Sequence, residues 1–443
     1  MRISENKGAR ADAAPGPPNF PGYRELAFLA FVLLILTFIN GLVPQLQITL
    51  LSGQIVVTNS TMNLFVLAVL ILGSLMHPQI SFRNLPMFTW LLCIGFLLLD
   101  MPYLIFVHNM SLTEVLASYD NYYFLLLCGP AALAFRGAVS EKAIVRCIEF
   151  LLIVSAVIGI AQYLTAQPIL HTQSVDGKFE VASWQFFDQV RAFSLFSSSL
   201  AFGLFCSFCG ALGVALFRTS PVRGLLLFML STIACFATLT RLCYLVFICA
   251  ITYSLVIIYG KKLTRGIWQP FLFFTLGIAT ILSGLRNVGD MSAGNLQDTG
   301  SLIMRLNEGV YYLDIISHST LASKLLGSGI TYSEQKNPVP IDNVLLAVVL
   351  HTGLVGLTLF GILLVKMWLF LRREALRTQR PLVIAATSLW ATLPCAGIFN
   401  VVIMQLGAVF AICILCKEIH TKGYQPLKAG GFKLFSTSAS THL

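Results

Sequence analysis

The sequence predicts an all-α, polytopic membrane protein with about 12 transmembrane helices and a large outer loop that contains an amphipathic helix. Three observations predict it. Of 443 residues, 57% are hydrophobic and only 11% charged, and the mean hydropathy is +0.81, a composition that excludes a water-soluble globular protein. Apolar runs of about 20 residues, the length that crosses a bilayer, recur along the chain. Lys and Arg collect in alternate connections between those runs, as the insertion bias toward a basic cytoplasmic side requires. Twelve such helices occupy roughly 240 positions and leave no room for a large soluble domain.

The runs fall near residues 24–43, 60–77, 86–107, 118–136, 146–165, 192–217, 223–240, 241–259, 266–285, 341–366, 381–399 and 401–416. Residues 1–23 hold Pro15, Gly16, Pro17, Pro18, Pro21 and Gly22 and read as a disordered cytoplasmic N-terminus. No cleavage-site pattern follows the first run, which reads as an uncleaved anchor. The transmembrane domain spans 24–416, and 417–443, basic and rich in Ser and Thr, reads as a disordered cytoplasmic tail. Of the 29 Lys and Arg, only Lys178, Arg191, Arg241, Arg286, Arg305, Lys324 and Lys336 fall on the outer side, which places both termini in the cytoplasm. The net charge of +10 therefore marks topology and not a nucleic-acid partner.

The chain has 11 cysteines, and none lies in the outer loops, so disulfides are not expected to hold the fold. Cys206 with Cys209 and Cys413 with Cys416 match C-x-x-C spacing, but both pairs sit inside apolar runs without companion ligands and read as packing residues.

Two outer segments are long, 166–191 and 286–340, and long loops in compact proteins usually carry function or are disordered. The first holds Trp184, Phe186 and Phe187 among Asp176, Lys178, Glu180 and Asp188. That mix suits sugar or lipid-headgroup contact and equally an interfacial aromatic belt, the reading preferred here. In the second, Leu302, Ile303, Leu306, Val310, Leu313 and Ile316 recur at helical spacing behind Ser301, a plausible N-cap, and predict an amphipathic helix on the outer face. Gly327, Ser328 and Gly329 mark a turn, and Pro338 and Pro340 keep the chain extended before the tenth run.

Four arginines carry the functional argument. Arg191 enters the sixth run, Arg241 opens the eighth, Arg286 leaves the ninth and Arg305 sits on the loop helix, so all lie near one membrane surface. Outer arginines oppose the topological bias, and Arg241 also sets a cation at a helix N-terminus, which the macrodipole disfavours. Ion pairs with outer carboxylates could satisfy each of them singly. Four at one level favour a phosphate-rich ligand, because guanidinium holds phosphate through two parallel charge-assisted hydrogen bonds.

Arg191-Ala-Phe-Ser-Leu-Phe196, the Thr240-Arg241 step, Arg305 on a loop helix, Gly327-Ser-Gly329, Asp342-Asn343-x-x-Leu346 and Gly353-x-x-Gly356, in that order, resemble the O-antigen polymerase and ligase superfamily. The resemblance covers roughly 185 to 360. It implies an enzyme of the bacterial inner membrane, acting on the periplasmic face, that transfers glycan from undecaprenyl diphosphate to an acceptor hydroxyl in surface-polysaccharide or lipopolysaccharide synthesis. It implies that Arg191, Arg241 and Arg305 hold the diphosphate, and Arg286 joins them on the charge argument alone. Ligases of the superfamily usually carry His before Asn or Ser where this chain has Asp342-Asn343, a departure that favours a polymerase over a ligase. The implied partners are the lipid-linked oligosaccharide, the bilayer, and a flippase and chain-length regulator of the same pathway.

The chemistry needs positive charge on the departing diphosphate and a base for the attacking hydroxyl. Arginines can supply the charge. The outer loops hold no Asp-x-Asp pair and no His and carboxylate cluster, so metal independence is expected, with no cofactor. Asp342 is the first choice of base, although an acidic residue at a helix start also serves as an N-cap. Glu308 lies one turn beyond Arg305 and either pairs with it or shares its site. His318 falls about 220° around the helix from Arg305 and pairs more naturally with Asp314, leaving catalysis a lesser reading. His351 reads as a packed neutral residue. Asp100, inside the fourth run, is a functional candidate by position, or else accommodates a kink at Pro102. A flippase or solute transporter would favour related halves and charges near the midplane, and no internal repeat is visible.

Overall fold

Backbone in an apolar solvent must satisfy its own hydrogen bonds, and helix is how this sequence does it. The computed structural model describes residues 23–57, 59–76, 87–112, 115–116, 119, 128, 132, 135, 138–173, 175, 180–181, 185–186, 189–260, 311–328, 344–392 and 400–417. In chain order the helices are α1 (Tyr23–Phe38), α2 (Leu42–Leu50), α3 (Asn59–Met76), α4 (Met87–His108), α5 (Glu141–Thr165), α6 (Ser199–Leu216), α7 (Pro221–Ala237), α8 (Arg241–Tyr259), α9 (Leu321–Leu326), α10 (Val344–Thr378), α11 (Pro381–Ala391) and α12 (Asn400–Leu415). Strands are two-residue pieces: β1 (Val139–Ser140) runs parallel to β4 (Cys416–Lys417), and β2 (Gln185–Phe186) pairs antiparallel with β3 (Gln189–Val190).

Helix α6 is the centre of the bundle. It packs against α7, α8 and α11, and nearly all of its residues are buried. The ring of Phe38 from α1 meets Phe205 and Phe208 edge-on at 5.4 and 5.9 Å, a geometry that adds attraction beyond area burial. Cys206 and Cys209 are fully buried on this helix, and Cys413 and Cys416 are buried at the end of α12, as packing residues.

The connections read from the sequence as cytoplasmic gather at one end of the bundle. Arg380, before α11, donates from Nε to Glu141 Oε2 at the start of α5 (3.0 Å), and Glu141 Oε1 accepts from Leu382 N (3.3 Å). Arg223 of α7 grips Glu149 of α5 with two nitrogens, and Arg218 donates to Gln379 Oε1 (3.0 Å). The β1–β4 ladder closes the same end.

Helices of this length and apolarity are those of a multi-pass membrane protein, but the expected count of twelve is not met. Among the described residues five helices are long and apolar enough to cross a membrane: Phe88–His108, Glu141–Thr165, Ser199–Leu216, Arg241–Tyr259 and Leu345–Thr378. A sixth arises if α1 and α2, bent by 83°, count as one span. Thr61–Leu72, Pro221–Ala237, Pro381–Ala391 and Leu406–Leu415 are apolar but shorter. Most of 118–136 and all of 266–285 lie outside the described residues, as do the terminal segments 1–23 and 417–443 apart from Tyr23, which opens α1, and Lys417, which ends β4.

Several boundaries move for identifiable reasons. The first run breaks at Gly41, where any side chain would strike the Phe196 backbone. The fifth starts early, because Ser140 caps α5 by accepting from Ala143 N (3.3 Å). The sixth starts late, at Ser199, because Ser198 caps α6 through Ala201 N (3.1 Å). The tenth runs on to Thr378 and is broken at Gly353 (φ 62°, ψ −167°), whose bare Cα admits the Leu325–Leu326 backbone of α9. Ser328 N then donates to Leu350 O (2.7 Å), satisfying a carbonyl freed near that break.

The outer-loop helix is present over 311–318, with its facing corrected. Tyr312 is fully buried, Ile315 and Ile316 pack on the core, and Leu313, expected inside, is 58% exposed. The first outer segment holds the β2–β3 hairpin; side chains of its expected aromatic group lie outside the described residues.

Candidate functional site

Between β3 and α6 the chain Ala192–Ser198 is not helical, yet it is buried: Ala192, Phe193, Ser194 and Phe196 are all at 0% exposure. Buried backbone needs partners, and four neighbouring elements supply them. Gln162 of α5 accepts through Oε1 from Phe193 N (3.2 Å) and Ser194 N (2.8 Å). The Ser194 hydroxyl donates to Ser155 O (2.7 Å), holding that residue in its left-handed conformation (φ 54°). Gln45 of α2 donates to Phe196 O (2.9 Å), and Asn40, at the α1–α2 corner, accepts from Ser197 N (3.2 Å). Ala192 N donates to Ala237 O (3.1 Å), the last residue of α7. Non-helical backbone at membrane depth survives only when protein encloses it in this way.

That last bond sets the site. From Ala237 the chain turns through Thr238 and Leu239 (φ 48°) into α8 at Arg241. The Thr240 hydroxyl donates to Ser199 Oγ (3.2 Å), so α6 and α8, which run in the same direction, present their N-termini side by side. Arg191 stands at the head of the buried segment, half-buried, and close enough to Cys243 in the first turn of α8 to interact with it electrostatically. Arg241 is exposed at the first position of α8, as expected from sequence, and Thr240 makes no side-chain cap to that helix. Arg191 does not enter the sixth helix, where the sequence places it; it precedes the irregular buried segment that leads to that helix. Two arginines and two helix N-termini thus converge at the end of the bundle opposite the Arg380–Glu141 pair, and each component favours an anion there.

His318 lies elsewhere on the surface. Its side chain is 78% exposed, with Nδ1 at 3.4 Å from Asp314 Oδ1 and 3.0 Å from Asp314 O, so the pairing with Asp314 read from the spacing is present. Among the described contacts none joins it to the arginine pair. Arg286, Arg305, Glu308 and Asp342 lie outside the described residues. His351 is fully buried, as expected. Asp100 is 2% exposed, with Oδ2 at 3.1 Å from the Tyr119 hydroxyl, and α4 continues through Pro102. Among the described residues no three His, Cys, Asp or Glu side chains gather as a metal set would.

Sequence reasoning passed over Gln162, Asn40, Gln45 and Ser194. Their signal was available: an amide inside an apolar helix must find a partner, and α5 carries one (Gln162) and α2 two (Gln45 and Gln47). Gln162→Leu leaves two buried N–H groups unsatisfied and is expected to cost ~2–5 kcal/mol of stability. Thermal unfolding in detergent checks it; an unchanged midpoint would mean water replaces the amide.

Compared with protein-family models and with curated proteins, the chain matches none. What fold and site define by themselves is a class: a mostly helical, multi-pass membrane protein with Arg191 and Arg241 near two neighbouring helix starts.

Proposed function

We propose that this protein is a metal-independent membrane glycosyltransferase, a polymerase that adds oligosaccharide repeat units carried on undecaprenyl diphosphate to a growing surface or exopolysaccharide chain. The observation that carries the reading is the convergence of Arg191 and Arg241 where α6 and α8 begin, joined by the Ala192–Ala237 and Thr240–Ser199 bonds. In this reading the chain is a multi-pass protein of the bacterial inner membrane with both termini cytoplasmic, and the arginine end faces the periplasm. The clustering of Arg218, Arg223 and Arg380 at the other end agrees with that orientation.

The acceptor hydroxyl attacks the anomeric carbon of the carrier-linked sugar, and the bond from that carbon to the diphosphate oxygen breaks. Charge builds on the leaving diphosphate, where Arg191 and Arg241, with Arg305 and Arg286, neutralise it; Asp342 takes the hydroxyl proton, with Glu308 and His318 the other candidates. The test is purified protein in detergent with a polyprenyl-diphosphate-linked oligosaccharide. A ladder of longer lipid-linked products is expected. Translocation in sealed vesicles without lengthening would make the chain a flippase, and transfer only to a lipid A-core acceptor would make it a ligase.

A further inference from the structure

At the basic end, α5 and α7 do not close on each other completely. Between them lies a groove of about 500 Å³, walled by Ile153, Leu226 and Leu230 and ending at the Arg223–Glu149 pair. Ile153 is 54% and Leu226 66% exposed, so the groove opens sideways from the bundle, the direction in which a membrane protein meets lipid. Its volume is within the range of specific small-molecule sites, and its interior is apolar apart from the ion pair and Ser220.

The charge around its mouth is one-sided. Lys142, Arg146, Glu149 and Ile153 recur at four-, three- and four-residue spacing and therefore form one stripe along α5. Lys142 and Arg146 continue that stripe past the end of the groove and are exposed. Glu149 is already matched by Arg223 through two nitrogens. Its partner acid Glu141, at the start of the same helix, is matched by Arg380 (3.0 Å). The two carboxylates near the mouth are therefore spent on other arginines, and among the described residues neither Lys142 nor Arg146 forms an ion pair.

We propose that this groove is a binding site for an anionic glycerophospholipid, with one acyl chain lying along Ile153, Leu226 and Leu230 and the phosphate held between Lys142 and Arg146. Charge complementarity selects the headgroup at the mouth, and the apolar trough on the other side of the neutralised Arg223–Glu149 pair takes the chain. The inference requires only the membrane class and stands apart from the glycosyl-transfer reading; it concerns the opposite end of the bundle.

The test places a reporter in the groove. Leu226→Trp puts an indole on an exposed wall, and the full chain carrying it is reconstituted into vesicles of phosphatidylcholine. Phosphatidylglycerol brominated on its acyl chains is titrated in, or brominated phosphatidylcholine in parallel, and the parent protein's own five Trp are subtracted as background. Quenching of the added Trp is expected at about tenfold lower mole fraction of the anionic lipid. Replacing Lys142 and Arg146 by Gln is expected to bring the two titrations together. Equal quenching by both lipids before any substitution would overturn the proposal, reducing the groove to ordinary lipid contact, and so would an anionic preference that survives loss of both charges.

Discussion

Arg241→Ala is expected to reduce chain lengthening about 10²–10³-fold, the loss typical of removing one preorganised group that stabilises developing negative charge, while leaving the protein folded. Arg241 is exposed at the first position of α8, where its charge opposes the helix dipole, so α8 does not need it to form. Arg191→Ala is expected to cost a similar factor in turnover, and Arg→Lys at either position should recover only part of it, because an ammonium cannot make the two-pronged contact with phosphate. Product ladders and thermal unfolding measured on the same preparations decide the matter. Full turnover in both alanine variants would remove the diphosphate site, and a fall in stability that tracks the fall in turnover would make the arginines structural.

The arginine pair shows what was legible before any coordinates and what was not. Arg241 at a helix start could be read directly, since Thr238–Thr240 interrupts an apolar run and a helix must begin again after it. Arg191 could not be placed, because hydropathy sees Ala192-Phe-Ser-Leu-Phe196 as the opening of a span. An irregular segment buried on all sides has the same composition as a helix; only its serines, one capping α6 and one bonded back to Ser155, tell them apart. The end of α10 misled in the opposite sense. Arg372, Arg373 and Arg377 read as a loop, yet the helix carries them to Thr378, with the Arg372 guanidinium 5.3 Å from the Trp368 ring, since long cationic side chains lie comfortably along a helix end. The facing of 311–318 went wrong by one residue: Tyr312 supplies the buried face, and a pattern built on aliphatic residues alone passes over it.

Gly213→Leu is expected to abolish the folded protein, and Gly213→Ala to lower its stability by ~1–3 kcal/mol, the usual cost of overpacking a well-filled contact. The reason lies in how α6 and α7 meet. A Cβ at Gly213 would stand 2.8 Å from both Gly224 O and Phe228 N, and one at Gly224 would stand 2.6 Å from Gly213 O and 2.7 Å from Phe217 N. These are backbone atoms on both sides, so no rotamer change makes room and the helices must separate. Small residues that let backbones touch are how helices associate where lipid removes the hydrophobic drive between them. Separation here has a functional cost beyond stability, because the C-terminus of α7 supplies the Ala237 carbonyl that holds Ala192, and with it the spacing of Arg191 from Arg241. Gly213→Ala should therefore lose more turnover than its stability predicts. Gly95 in α4 and Gly361 in α10 provide the opposite case: a Cβ at either meets nothing within 4 Å, and Ala there should raise stability by ~0.5–1 kcal/mol through helix propensity alone. Unfolding midpoints of the three alanine variants, taken in one detergent, distinguish a packing glycine from an idle one; equal midpoints would mean that the α6–α7 contact can open without cost.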